Sequence, residues 1–343
     1  MNRRLAVICW LTLIPTLFGP GCSDDETEPA TALAPGSPTP DGTRDGVAGL
    51  LPPQLPGADR ELLLPGVRAL VAGEPTAGEM LQSDELTAAF AGREIVVLEA
   101  LRDPLRNRLE SGNVDAQRIA VAVARHWTPA AVSGAGAEAV ADRLPLEALE
   151  AVLSGGTERA VRIEVALLLA EVPHVKTFFQ LQRALSDPDV VLRNQVVRAL
   201  ARGVGRDRPD DHRKRCASEL IRHLEREEDD AVAASILSEI SREPYLQSRP
   251  ELKERVRALV DSESTGVRVA AARLAGILGD RAAIPKLILT ASREDRDSRE
   301  AAIEALGRLK SPEAKAALEA IEDPGEADPK LSKLLAWARG RQD

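Results

Sequence analysis

The amino-acid sequence predicts an all-α fold in which pairs of helices stack into a solenoid. Three observations predict it: a composition rich in helix formers, an apolar pattern with helical spacing that occurs five times, and a second amphipathic segment after most of those patterns. Charged residues make up 29% of the 343 residues, whereas aromatic residues make up only 2%. Because β-sheets are enriched in aromatic and β-branched side chains, this composition favours stacked helices packed through small aliphatic contacts.

The recurring apolar pattern marks the first helix of each unit. It starts at residues 162, 193, 233, 268 and 299, and apolar side chains stand three, four and seven residues after each start. In the first unit these side chains are Val165, Ala166 and Leu169. Residues with this spacing lie on one face of an α-helix. Since the starts are 31 to 40 residues apart, each unit has room for a second helix.

A second amphipathic segment follows most of these first helices. Its apolar stripes occur at residues 216–224, 252–260, 284–291 and 314–321. Two start signals are clear, because Ser311 precedes Pro312 and Asp328 precedes Pro329, an N-cap residue followed by proline at the first helical position. One pair of helices cannot bury its apolar faces alone, so the units must stack on one another.

The repeats resemble HEAT repeats of the kind also found in phycobilisome-lyase-like proteins. The resemblance is carried by residues 187–200, which read DPDVVLRNQVVRAL, and by residues 299–314, which read REAAIEALGRLKSPEA. It implies a right-handed α-solenoid of HEAT-type helix pairs over residues 157–323. It also implies that the second helices line the inner face of the stack, where a partner would bind.

The flanking segments are expected to close the stack at its two ends. Residues 61–156 are predicted to form an N-terminal helical cap and degenerate repeats. A unit starting at Gln117 has the same apolar spacing, and a Gly/Ala-rich insertion separates it from a partner helix near 144–153. Residues 324–343 are predicted to be the C-terminal capping helix, because solenoids need polar outer faces at their ends.

The N-terminus has the pattern of a signal peptide over residues 1–21. Basic residues are followed by an apolar run of 14 residues, Leu5–Phe18, which is shorter than the ~20 residues that span a bilayer. The exit, Gly21-Cys22, resembles the lipobox of bacterial lipoproteins, although Gly19 and Pro20 depart from that pattern. The resemblance implies a lipid on Cys22 and an exported, membrane-anchored protein at the periplasmic face or the outer membrane. Ordinary cleavage that leaves a free thiol is the alternative.

Residues 22–60 are predicted to be a disordered tether. The segment begins with four acidic residues within five positions and continues with seven prolines among Thr, Ser and Gly. Such a composition cannot bury a core. A lipid followed by a long polar tether would anchor the helical stack without pressing it against the bilayer.

Candidate chemistry is sparse along the chain. The net charge of −9 argues against nucleic-acid binding, because a phosphate footprint needs clustered Lys and Arg. Arg162, Arg193, Arg268 and Arg299 occupy one repeat position, and we expect each to bridge to a neighbouring carboxylate or carbonyl rather than to form an anion-binding ladder. Ala233 interrupts that series.

One cluster of metal-ligand types occurs, formed by His212, Cys216 and His223. A structural zinc site needs four ligands, and this run offers three at most. We therefore expect a buried thiol, two surface histidines, and neither a metal nor a cofactor.

The sequence predicts a non-enzymatic, monomeric, membrane-tethered scaffold that binds a protein or peptide partner on its concave face. The candidate partner-binding residues are Phe178, Phe179, Lys214, His223 and Arg257. For the two phenylalanines, splayed packing of both rings between neighbouring helices is favoured over exposure of one. The alternative function is a regulatory or sensory lipoprotein that binds a small ligand or glycan. A bilin-lyase-like enzyme, which the resemblance also implies, conflicts with export.

Overall fold

The computed structural model of the chain describes residues 51–155 and 158–342. The chain divides into two units, 1–41 and 42–343, and the described residues all lie in the second. The predicted signal peptide and Cys22 fall outside the described residues. Within the described ranges the backbone forms helices and turns, with no β-strand. None of these helices combines the length and apolar composition that crossing a membrane requires.

Nineteen α-helices lie within the described residues, and short 3-10 turns at Arg281–Ala283 and Gly325–Ala327 precede two of them. The helices are α1 (Gly57–Ala72), α2 (Ala77–Leu81), α3 (Asp84–Ala89), α4 (Glu94–Glu110), α5 (Val114–Ala135), α6 (Ala137–Arg143), α7 (Leu146–Gly155), α8 (Arg159–Glu171), α9 (Val175–Ala184), α10 (Val190–Arg202), α11 (Asp210–Arg226), α12 (Asp230–Arg242), α13 (Pro244–Gln247), α14 (Glu251–Leu259), α15 (Thr265–Ile277), α16 (Ile284–Ala291), α17 (Arg296–Leu309), α18 (Pro312–Ala320) and α19 (Pro329–Gly340).

From α5 onward the long helices form two layers. In the first layer α5, α8, α10, α12, α15, α17 and α19 pack side by side, each against the next. In the second layer α7, α9, α11, α14, α16 and α18 each pack against the first-layer helix that follows them in the chain. This alternation of layers is an α-solenoid, and it confirms the predicted all-α fold of stacked helix pairs.

The five predicted first helices correspond to α8, α10, α12, α15 and α17. The side chains three, four and seven residues after each start are buried in the core. Acidic N-caps fix where several of these helices begin. The Asp189 carboxylate accepts hydrogen bonds from the backbone N–H groups of Val191 and Leu192, and Asp229 does the same for α12. Such caps satisfy the free N–H groups of the first turn.

Small residues let the first-layer helices approach closely at the C-terminal end. The residue eight positions after the pattern start is small in all five units: Ala170, Ala201, Ser241, Gly276 and Gly307. A Cβ atom added to Gly276 would lie 2.7 Å from the Cα of Ala305, and one added to Gly307 would lie 2.9 Å from the Cα of Ala338. Here α15, α17 and α19 are therefore in backbone contact, and α19 continues the first layer.

The N-terminal region differs from the sequence prediction in two places. The helix α1 begins at Gly57, and Leu51 and Leu55 are buried, so the predicted tether of residues 22–60 extends too far. The prolines at 52, 53 and 56 made this stretch resemble a disordered segment, although Leu51 and Leu55 pack into the core. The Gly/Ala-rich insertion is also helical, because α5 continues to Ala135 and α6 follows it.

Candidate partner-binding surface on the second helices

Three of the four recurrent arginines hold the units together through ion pairs. The pairs are Arg162–Asp187, Arg193–Glu227 and Arg268–Asp295. Each of these arginines also donates to at least one backbone carbonyl nearby. The structural interpretation of the series is confirmed for these three arginines. Arg299 is the exception, because its side chain makes no hydrogen bond or ion pair with a described residue, and its buried Nε is unsatisfied.

The ion pair between Arg193 and Glu227 is supported by further hydrogen bonds to the same carboxylate. Arg193 donates to both carboxylate oxygens at 3.1 and 2.9 Å, and the Nε2 atom of His223 lies 2.9 Å from one of them. Burial alone would raise the pKa of Glu227, but the hydrogen bonds from Arg193 and from the N–H of Asp229 bring that pKa below its ordinary value. Glu227 is therefore ionised at neutral pH.

The His212–Cys216 pair is buried, which corrects the expectation that His212 lies on the surface. His212 is only 4% exposed, and its Nε2 lies 3.4 Å from the Sγ atom of Cys216. Burial lowers the pKa of His212 to about 4 and raises the pKa of Cys216 to about 12. Both groups are thus neutral at pH 7. No group of three or more His, Cys, Asp or Glu residues among the described residues is arranged to hold a metal ion.

The structure distributes the five candidate partner-binding residues among three places. Phe178, Phe179 and Lys214 line one groove between α9 and α11. His223 lies in an adjoining polar pocket, where its side chain is only 12% exposed and contacts Glu227. Arg257 lies apart on α14, where its guanidinium makes two hydrogen bonds of 3.0 and 2.8 Å to Asp280. His223 and Arg257 are thus engaged within the fold, whereas the groove between α9 and α11 is open.

The two phenylalanines have different roles in this groove, whose volume is about 340 Å³. Phe178 is 4% exposed and forms its floor, whereas Phe179 is 50% exposed and forms one wall. Their ring centroids are 5.5 Å apart in an edge-to-face arrangement. The favoured splayed packing of both rings is therefore wrong. Consecutive residues on α9 point about 100° apart, so only one ring reaches the core.

Basic side chains face Phe179 across the groove. Lys214 is exposed, and its nearest acidic partner, Asp211, is 3.9 Å away. The Nε atom of Arg215 is buried and unsatisfied, and the Arg215 side chain makes no hydrogen bond or ion pair with a described residue. At the far end, Glu219 accepts hydrogen bonds from Gln182 at 2.7 Å and from Arg222 at 2.5 Å. Arg215 is not among the residues predicted from the sequence, because nothing in its spacing distinguishes it from other basic residues on a helix surface.

A second, more apolar pocket lies between α16, α17 and α18. Its volume is about 410 Å³, and Ile288, Ile303, Leu306 and Ile321 are among the side chains that line it. The unpaired Arg299 also faces this pocket. No pattern in the sequence indicated this pocket, because the helices that line it look like ordinary repeats.

Comparison with known proteins supports the architecture. Residues 252–330 match the family model described as HEAT repeats. No curated protein sequence matches the chain. Among solved structures, the karyopherin Kap121p bound to the extreme C-terminus of the protein phosphatase Cdc14p is similar, with a TM-score of 0.51 and 13% identity over 83% of this chain and 36% of that chain. An engineered protein has 18% identity over 87% of this chain and 83% of its own, with a TM-score of 0.43. The described residues thus form an α-solenoid, and residues 252–330 are similar to HEAT repeats.

Proposed function

We propose that this chain is a non-enzymatic interaction scaffold, anchored to a membrane through a lipid on Cys22, which holds a segment of a partner protein in the groove between α9 and α11. The observation that carries the proposal is that groove. It joins a half-exposed aromatic ring, Phe179, to Arg215, which pairs with no described residue, and to Lys214, whose ion pair with Asp211 is 3.9 Å long. An α-solenoid offers a continuous face of second helices on which extended segments bind.

The groove specifies the chemistry of the partner segment. An apolar or aromatic side chain of the partner would pack on Phe179, since exposed aromatic rings supply large contact areas at low entropic cost. A neighbouring Asp or Glu would pair with the terminal NH2 groups of Arg215 or with the ammonium group of Lys214. The partner segment is therefore acidic with at least one large apolar residue.

The membrane tether rests on the sequence. The basic start, the short apolar run and the Gly21-Cys22 exit support export and lipidation, which would place the stack at the periplasmic face or on the outer membrane. In a membrane-bound state the groove would concentrate its partner at that surface. Replacement of Cys22 by alanine should move the full-length protein from the membrane fraction to the soluble fraction after export.

In-cell photo-crosslinking of the full-length protein tests the scaffold function. A photoreactive phenylalanine analogue is introduced at position 179, and the captured proteins are identified by mass spectrometry. The matched control carries the same analogue at position 191, because Val191 is an exposed apolar residue of the first layer, 42% exposed. We expect one reproducible adduct from position 179 that is absent from position 191 and is lost on Lys214→Glu.

Two results would contradict the scaffold function. One is capture of no protein above background at position 179 in cells that express the protein at its natural level. The other is the same set of proteins from positions 179 and 191, because adducts that ignore the groove report random collision rather than binding.

A further inference from the structure

The unpaired guanidinium of Arg299 stands in a repeat position that is otherwise satisfied. Arg162, Arg193 and Arg268 each have a carboxylate partner, and that partner comes from the loop or cap that precedes the next first-layer helix. For Arg299 the corresponding cap is Asp328. That carboxylate already accepts from Arg296 at 3.0 Å and from the N–H of Leu331 at 3.1 Å. Arg299 itself makes no ion pair with any carboxylate among the described residues.

Burial makes this vacancy costly. The Nε–H of Arg299 is shielded from solvent and donates to none of the described residues. A buried donor without an acceptor loses its hydration without compensation. A ligand in the pocket would contact the guanidinium through its terminal NH2 groups, which make no hydrogen bond or ion pair with a described residue.

The surrounding pocket is shaped for an apolar body. Its volume of about 410 Å³ lies within the range of small-molecule sites, which are apolar cavities with a few convergent polar groups. Ala291, Ala317 and Leu331 complete the apolar lining around Arg299. At the rim Ile288 remains 43% exposed although it borders the pocket.

One acidic residue also lines the pocket and restricts its ligand. Glu322 is exposed, and it forms no ion pair with Arg299 among the described residues. The two charged groups are therefore more than ion-pair distance apart. Its charge would repel a second carboxylate on a ligand that already pairs with Arg299. The site thus favours a single negative charge at one end of an apolar molecule.

We propose that the pocket between α16, α17 and α18 binds a small apolar monocarboxylate, with the carboxylate on Arg299 and the alkyl or aryl body against the aliphatic lining. An Arg–carboxylate contact can be bidentate, which adds geometric specificity to the charge. This site is separate from the groove between α9 and α11. Its success or failure leaves the scaffold function untouched.

Calorimetric titration of the full-length protein with octanoate tests this site, and octan-1-ol is the neutral probe of equal chain length. We expect octanoate to bind at least tenfold more tightly than octan-1-ol. The Arg299→Met variant should lose that advantage while its octan-1-ol affinity stays unchanged. The matched control is Arg308→Met on the same helix, because Arg308 is exposed and bonds to Glu304. It should bind both probes as the natural chain does.

One further variant and one folding measurement guard against misreading a folding defect. Ala317→Phe fills the pocket and should abolish binding of both probes, while thermal unfolding of each variant reports whether it folds. Equal affinity for the two probes, or octanoate binding that survives Arg299→Met, would overturn the proposal. So would Arg299-dependent binding of a leucine-ended peptide with a free carboxylate by a protein that ignores octanoate, since that would make the pocket a peptide site.

Discussion

The surroundings of Arg193 and Arg299 differ although the two arginines occupy the same position of the repeat. Arg193 is held by Glu227 and a carbonyl, and the adjoining pocket is lined by polar side chains that satisfy one another. Arg299 has no described partner, and its pocket is lined mostly by Ala, Ile and Leu. The repeat position therefore determines where the guanidinium lies, whereas the segment after the second helix determines whether it is paired.

That difference distinguishes an arginine that stabilises the fold from one whose guanidinium can still bind a ligand. The loop after α11 supplies Glu227 before the cap of α12, whereas the corresponding loop before α19 commits Asp328 to Arg296. The difference between a paired and an unpaired arginine therefore coincides with a difference in the loop that precedes the next first-layer helix. Solenoids allow such differences because each repeat contacts mainly its neighbours.

The largest expected effect comes from removing the paired arginine. Arg193→Met should lower the free energy of unfolding by about 4 kcal/mol, because it leaves the buried Glu227 carboxylate without its main partner. Arg299→Met should instead raise it by about 1 kcal/mol, since no partner is lost and a buried donor without an acceptor is removed. Urea unfolding followed by circular dichroism gives both values. Equal losses for the two variants would show that Arg299 is paired in solution and would remove the contrast.

The sequence predicted the positions of the first helices of the repeats, but it did not predict which of the recurrent arginines is paired. The i, i+3, i+4, i+7 spacing located α8, α10, α12, α15 and α17, because burial of one helical face leaves a periodic record in the chain. Ion pairing between side chains leaves no periodic pattern in the sequence. Whether Arg299 meets an acid depends on the path of residues 321–328, and the direction of Phe179 depends on the rotation of α9 about its axis. Both are tertiary properties.

A second large effect concerns His212, which lies on the helix that follows Arg193's own. Its pKa is lowered from 6.5 to about 4, so the unfolded chain binds the proton more readily between these values. Stability is complete above pH 6.5 and falls as the pH drops to 4, by about 3 kcal/mol at roughly 1.4 kcal/mol per pH unit. The comparison is with His212→Gln, which should not show this loss. An equal loss of stability between pH 7 and pH 4 in the natural chain and in His212→Gln would refute the lowered pKa of His212.

A smaller effect tests the close helix packing in the unit of Arg299. Gly307→Ala should lower the free energy of unfolding by about 1–2 kcal/mol, because the new Cβ would meet Ala338 at 2.8 Å. The unit of Arg193 has Ala201 at the same position, buried without difficulty. Gly266→Ala is the matched control. Its nearest side-chain atom would be 3.8 Å away, so the better helix propensity of alanine should raise stability by up to about 1 kcal/mol. A gain in both variants would exclude backbone contact between α17 and α19.

The smallest expected effect is that of Glu322→Gln, which tests why Glu322 does not pair with Arg299. If Glu322 only repels from the rim, Glu322→Gln should raise the octanoate affinity about twofold to threefold and leave octan-1-ol binding and stability unchanged, as expected for an exposed charge. The gain should shrink at high salt, because exposed charges beyond about 10 Å are screened at 0.1 M. If Glu322 instead closes onto Arg299 in solution, the substitution should increase octanoate affinity more than tenfold. In that case Glu322 would compete with the ligand for Arg299 and regulate access to the pocket.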